Sequence, residues 1–271
     1  MHKIITGGLL AAAFAATPAA AQTADWSGFH VGARAGISNA RNGNERIEFD
    51  NNLDGSFGDT VNTAAGANAF SPGFCNGAAL GATPAQGCRK DKEKGDYALM
   101  AGYDQQFGNV VVGVVGEIGR SSARDSVTAY STTPAFYTMT RRIKNSAAIR
   151  ARVGLALGDT LPYVTAGVAS AKIRHDFATS NAVNTFTERG DDDRSTGFRY
   201  GAGVEQRFGN IAVGLLYLGT RYSDNDYRVR ASGPAPATNP FILSNAGGTD
   251  FRRSDDRFMI HSLSLTAGLR F

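Results

Sequence analysis

The sequence predicts an all-β fold, an eight-stranded antiparallel barrel, on three observations. Apolar residues alternate with small or polar ones at period 2 in eight separate segments. The links between those segments are by turns short and long. The N-terminus has the three-part layout of an export signal.

The N-terminus sets the compartment. Lys3 precedes an apolar run over 4–16, and small residues follow, ending in Ala19, Ala20 and Ala21. This layout places cleavage after Ala21, with 1–21 as the signal peptide and 22–271 as one barrel domain. The apolar run is too short for a membrane-spanning helix, and no later stretch approaches the roughly 18 apolar residues one needs. Glycine numbers 33 and proline 8 in 271 residues without a Gly-X-Y period, so neither collagen nor simple disorder is indicated. The formal charge of +4 becomes +3 once Lys3 is removed, with both signs interspersed, which argues against a nucleic-acid surface.

The eight apolar sets follow in chain order. In the first half they are Phe29, Val31, Ala33, Ala35, Ile37; Tyr97, Leu99, Ala101, Tyr103 with Phe107; Val110, Val112, Val114, Ile118; and Ile149, Ala151, Val153, Leu155, Leu157. In the second half they are Val164, Ala166, Val168; Phe198, Tyr200, Ala202, Val204, Phe208; Ile211, Val213, Leu215, Tyr217; and Leu263, Leu265, Ala267, Leu269, Phe271. None carries a charge. The intervening positions do: Arg34, Asp104, Glu117, Arg150, Arg152, Arg199, Glu205, Arg207 and Arg270, mixed with glycines. A soluble sandwich would turn the charged face to water, whereas a membrane barrel turns the apolar face to lipid. Periodicity alone does not choose, so the links and the export signal decide for the membrane.

Gly108 and Asn109 join strands two and three, Gly209 and Asn210 join six and seven, and 158–161 with Pro162 join four and five. The other links, about 39–96, 120–146, 174–196 and 223–257, are long and read as polar. Short periplasmic turns opposite long extracellular loops are the arrangement of an up-and-down transmembrane barrel. AGYDQQFGN at 101–109 and AGVEQRFGN at 202–210 repeat one hairpin design, each with an inward acid, Asp104 or Glu205. Trp26, Phe29, Phe107, Phe208 and Phe271 fall beside the short turns or termini, where rings sit between lipid tails and head groups.

DWSGFHVGARAG at 25–36 resembles the opening of the small outer-membrane β-barrel surface-protein family, which includes opacity-type and porin-like surface antigens. HSLSLTAGLRF at 261–271 resembles that family's terminal strand, and VVGVVGEIG, RARVGLALG and LPYVTAGVA resemble its inner strands. The resemblance implies a bacterial outer-membrane location and reading of the last strand, with Phe271 in the final aromatic position, by the outer-membrane assembly machinery. One departure is Leu216, beside Leu218, where the family's seventh strand often carries an inward acid. The family's roles include envelope integrity, adhesion, ligand binding and small pores, and fold alone does not choose among them.

Eight strands leave an interior that side chains fill. Arg34, Asp104, Glu117, Arg150, Arg152 and Glu205 fall at middle depth, three cations and three anions expected to pair across a plugged lumen. Cys75 and Cys88, in a loop exposed to an oxidising space, are expected to form a disulfide.

The remaining motifs carry little chemistry. His175 beside Asp176 has no accompanying nucleophile or oxyanion element and reads as a solvated loop pair, so the chain reads as a non-enzyme. Asp191, Asp192 and Asp193 lack the alternating spacing of a calcium loop and read as an acidic tip; no metal or cofactor is expected. Arg228, Arg230, Arg252 and Arg253 either touch anionic lipopolysaccharide or a host polyanion, or are mixed loop charge, since Asp255 and Asp256 sit among them. The leading function is a structural surface barrel whose partners are outer-membrane lipid and lipopolysaccharide. A narrow channel for small solutes, and an adhesin or receptor whose loops meet a host or environmental ligand, are the alternatives.

Overall fold

The computed structural model describes residues 25–40, 43, 45–190 and 194–271. The export signal expected over 1–21 and the acidic run Asp191, Asp192 and Asp193 lie outside the described residues. Eight long strands form the wall: β1 Gly28–Ala40, β2 Lys94–Phe107, β3 Val110–Ser121, β4 Ala135–Leu155, β5 Thr160–Thr179, β6 Arg194–Phe208, β7 Ile211–Ser223 and β8 Arg257–Arg270. Each pairs antiparallel with its neighbour in sequence, and β8 closes on β1 from His30↔Arg270 to Ala40↔Ile260. Closure leaves no free edge, as the loss of backbone hydrogen bonding to water inside a bilayer demands.

The alternation sorts the two faces cleanly. Leu265 is 70% exposed on the outside while Asp104 is 0% exposed inside. A wall of exposed Val, Leu, Ile and Phe around the whole circumference is tenable only against lipid. Among the described residues no helix is long and apolar enough to cross a membrane, so the strands do the crossing.

The long links differ from the polar loops expected of them, because they fold into a cap with its own apolar core. β4 and β5 run on past the apolar belt, paired from Tyr137↔Thr179 to Ile143↔Ile173, with a register shift between Ala171 and Ile173 where wall passes into cap. The strand Arg124–Ser131 adds to β4, and Gly73–Asn76 adds to that. A separate four-stranded sheet takes Thr185–Arg189, Arg228–Ser232, Thr249–Arg253 and Ile47–Asp50, in that order, from three different links. Between them pack Phe49, Phe70, Tyr137, Phe241 and Phe251, all buried, with Phe49 stacked on Phe70 at 4.3 Å and edge-on to Phe251 at 5.0 Å. Burying each such ring contributes roughly 1.5–3 kcal/mol, enough together to order chain that would otherwise stay loose. The disulfide Cys75–Cys88 lies at the edge of this cap, beside the Tyr130 hydroxyl.

Candidate functional site: the lumen and the neck

The lumen is filled in layers. Toward the short turns, Trp26, Leu161, Tyr163, Leu216 and Leu218 make an apolar floor. Trp26 departs from the membrane-edge position expected for it: it is fully buried, its indole N–H donates to the Gly158 carbonyl at 3.0 Å, and the Arg270 guanidinium lies 4.9 Å over its ring. It precedes β1, where no strand alternation fixes which way a side chain points. Phe29, Phe107, Phe208 and Phe271 do face outward. Leu216 and Leu218 replace polar lining with packing against this floor.

Above the floor, the inward charges form two clusters. In the lower one, Arg152 donates from Nε to Asp104 at 2.7 Å and from Nη1 to Glu205 at 2.8 Å, and Arg270 donates to Asp104 at 2.6 Å. Glycine makes this meeting possible. Asp104 and Arg152 are both in register with Gly113 on the strand between them, and a Cβ there would stand 1.9 Å from Asp104 Oδ1. In the upper cluster three arginines converge on Glu117: Arg150 at 2.7 Å, Arg34 at 3.5 Å, and Arg199 through Nη1. Arg34 also donates to Asp96 at 3.0 Å, Arg150 to Thr165 at 3.0 Å, and Arg199 to Thr220 and the Tyr222 hydroxyl. The six residues named from the sequence thus divide between two clusters, and Asp96, Arg199 and Arg270 join them. Arg199 and Arg270 stand among the inward charges read from the sequence but outside its middle-depth set, because tilted strands place equal counts at unequal depths; Asp96 is missed because the sequence reads it as the end of a long link.

Two further layers close the extracellular end. Ile143, Ile173, Tyr222, Phe258 and Ile260 form an apolar ring at the mouth. Over it sits a neck of buried ion pairs. Arg141 reaches Asp125 at 2.9 Å, Asp224 at 3.2 Å and Glu45 at 3.3 Å, while Arg253 reaches Asp125 at 2.6 Å and also pairs with Glu45. Burial pushes the Glu45 carboxyl up, against the pull of Arg253 and Arg141.

The neck corrects one reading of the links, that of His175, and the cap favours the mixed-charge alternative of another. His175 bonds Asp224 at 2.8 Å and stacks on Tyr227, whereas the adjacent Asp176 is taken by Arg142. Both members of the His175–Asp224 pair are buried, so this is no solvated loop pair. The four basic residues of the last link are committed within the cap: Arg253 in the neck, Arg230 bidentate to Asp250, Arg252 to Glu48, and Arg228 over the Phe57 ring. Beside the neck lies a polar cavity of about 280 Å³ lined by His175, Asp224, Arg252 and Ser254. Among the described residues no group of three or more His, Cys, Asp or Glu is arranged to hold a metal.

The family described as outer membrane protein beta-barrel domain matches residues 7–271. The chain belongs to this family. Members reside in the bacterial outer membrane, and so does this barrel, with the belt of β1–β8 in lipid. The 25 kDa outer-membrane immunogenic protein of Brucella canis is 30% identical over 128 residues, 47% of this chain and 52% of that protein. The protein of the same name from Brucella abortus biovar 1 is 30% identical over 131 residues, again 47% and 52%. The chain spans about half the length of these curated relatives. The crystal structure of OprG from Pseudomonas aeruginosa is similar at TM-score 0.46 and 11% identity, covering 90% of this chain and 97% of that one.

Proposed function

We propose that this barrel is a non-catalytic, closed anchor that holds a folded cap at the cell surface and adds to the integrity of the envelope. The layering of the lumen carries this reading: floor, two ion clusters, apolar ring and neck lie one above another along the bore. The internal cavity beside Arg150 and Arg152 is about 40 Å³, room for a few waters at most. A channel for solutes would need several buried ion pairs to part at once, each at considerable cost. Phe271, exposed at the end of β8, is the residue we assign to recognition by the assembly machinery.

Planar-bilayer recording on the purified protein tests the closed state. We expect no stable unitary current. Well-resolved, reproducible openings from the wild type would replace this reading with the channel. A second role, adhesion or ligand capture, is favoured by one observation: the cap is folded around an aromatic core and fixed by a disulfide, so it presents a defined surface. Removing 47–89 while keeping the barrel should abolish surface binding to host or environmental ligands if the cap acts this way.

A further inference from the structure

The polar cavity beside the neck serves neither the closed lumen nor the lipid belt. It runs from surface to interior. Asn225, Ser254 and Asp256 stand exposed at its mouth with Arg252 half-buried beside them, while His175, Asp224, Tyr227 and Arg253 form the floor. A second depression of about 570 Å³ shares Ser254 and Asp256 with it, so the mouth opens onto a wider polar surface that takes in Arg221 and Arg257. At about 280 Å³ the cavity falls just short of the roughly 300 Å³ at which sites for drug-sized ligands begin, so it suits a single small ring.

One buried group on the floor is left open. The His175 side chain is 4% exposed, and its Nε2 meets the Asp224 carboxylate at 2.8 Å. Arg141 donates to the same carboxylate at 3.2 Å, so Asp224 is the acceptor and Nε2 is the ring nitrogen that carries the proton. Nδ1 keeps its lone pair, and among the described residues nothing donates to it. A buried acceptor of this kind calls for a donor from within the cavity.

Charge decides what kind of donor. Each charged group of the wall is already matched: Asp224 by His175 and Arg141, Arg253 by Asp125 and Glu45, Arg252 by Glu48 at 2.9 Å, and Asp256 by Arg257 at 3.3 Å. An incoming anion would face the Nδ1 lone pair and two carboxylates, and an incoming cation would find no unmatched carboxylate. Hydroxyl groups meet neither objection, because each both donates and accepts: one gives its proton to Nδ1 or Asp256, and others accept from Arg252, Asn225 and Ser254.

We infer that this cavity is a sugar site, which takes one neutral pyranose ring with a hydroxyl on His175 Nδ1 and further hydroxyls on Asn225, Ser254 and Asp256 at the mouth. The adjoining depression gives the remainder of a glycan its way out. The inference rests on the ligand-capture reading of the cap, but its residues lie outside the 47–89 segment whose removal tests that reading, so the two fail separately.

The test is saturation-transfer NMR on the full chain refolded in a detergent without sugar head groups. The probes are the methyl glycosides of glucose, galactose, mannose and N-acetylglucosamine. At least one should bind in the millimolar range that a single ring held by a few hydrogen bonds reaches. Asn225→Ala should weaken that binding about three- to tenfold, the worth of one neutral hydrogen bond, and Ser254→Trp, which fills the mouth, should abolish it. Both substitutions fall at exposed positions and should leave heat-modifiable gel migration, the sign of a folded barrel, unchanged. In the wild type alone, sodium acetate and methylammonium chloride at the sugar's own concentration should not displace it, which keeps the proposal testable if a variant fails to fold. No saturation transfer to any of these sugars, transfer that survives Ser254→Trp, or displacement by either ion would each overturn it.

Discussion

At the residue scale, the lumen depends on where side chains are missing as much as on where charges stand. Gly113 lets Asp104 reach Arg152 across an intervening strand, and a Cβ there would also stand 2.7 Å from the Tyr103 carbonyl. Gly113→Val should therefore cost about 1–3 kcal/mol, seen as a lower urea midpoint for the protein in vesicles. Glu117 is the anion for three arginines, so Glu117→Ala leaves three buried cations short of a partner. Removing one member of such a buried group costs about 3–5 kcal/mol, whereas an exposed acid such as Asp256 should change stability by roughly 0.5 kcal/mol or less when made Ala. Equal midpoints for Glu117→Ala and Asp256→Ala would mean that water, not arginine, satisfies Glu117.

At the element scale, the extensions of β4 and β5 are what convert separate loops into a cap. Their inward positions Tyr137, Met139, Arg141 and Ile143 alternate at period 2 but in the opposite phase to the wall's inward Ala148, Arg150 and Arg152, the reversal falling at the register shift, and the inner face they build serves cap, neck and mouth in turn. The joint is sensitive to acid through Asp224. Burial resists ionisation of Asp224, yet the hydrogen bond and charge of His175 and the charge of Arg141 outweigh it and hold its carboxyl below the ordinary 3.8. A depressed carboxylate contributes stability that is fully present above its unfolded value and is lost as pH falls through the lower folded value. Glu45 and Asp91, both pushed up chiefly by burial, act in the opposite sense, so the Asp224 contribution must be isolated by mutation. Protection against hydrogen exchange across 137–143, taken against the intrinsic rate at each pH, should fall in the wild type only below about pH 4. In Asp224→Asn it should be low already at neutral pH and lack that acid step. Identical profiles for the two proteins would remove Asp224 from any role in holding the cap.

At the scale of the whole molecule, short turns and both described ends of the barrel share one side, and the cap occupies the other. With the cap outside the cell, a cysteine in place of Leu243, exposed on the cap, should react with an impermeant maleimide on intact cells. One in place of Asn109 should not; Asn109 is chosen because its neighbour Gly108 has a positive φ of 58° that a side chain would strain. Labelling at 109 and protection at 243 would reverse the orientation. The native cysteines are joined to each other and do not compete for the reagent.

Strand number, the facing of the residues within the lipid belt and most of the inward charges were determined by the sequence alone, because alternation at period 2 is a local property that a barrel simply rolls up, until a register shift reverses its phase where wall passes into cap. Even the glycines beside those charges are visible as the small members of the same alternation. Tertiary structure decided everything that depends on which distant residues meet. The cap core draws single aromatics from separate links, each without a periodic neighbour to announce it. His175 finds Asp224 across 49 residues, and Arg253 finds Asp125 across 128. Trp26 turns inward because the floor beneath Leu161 has room for it and a hydrogen-bond acceptor at Gly158, 132 residues away. Local pattern fixes which face a side chain takes; only closure of the barrel fixes what it meets there.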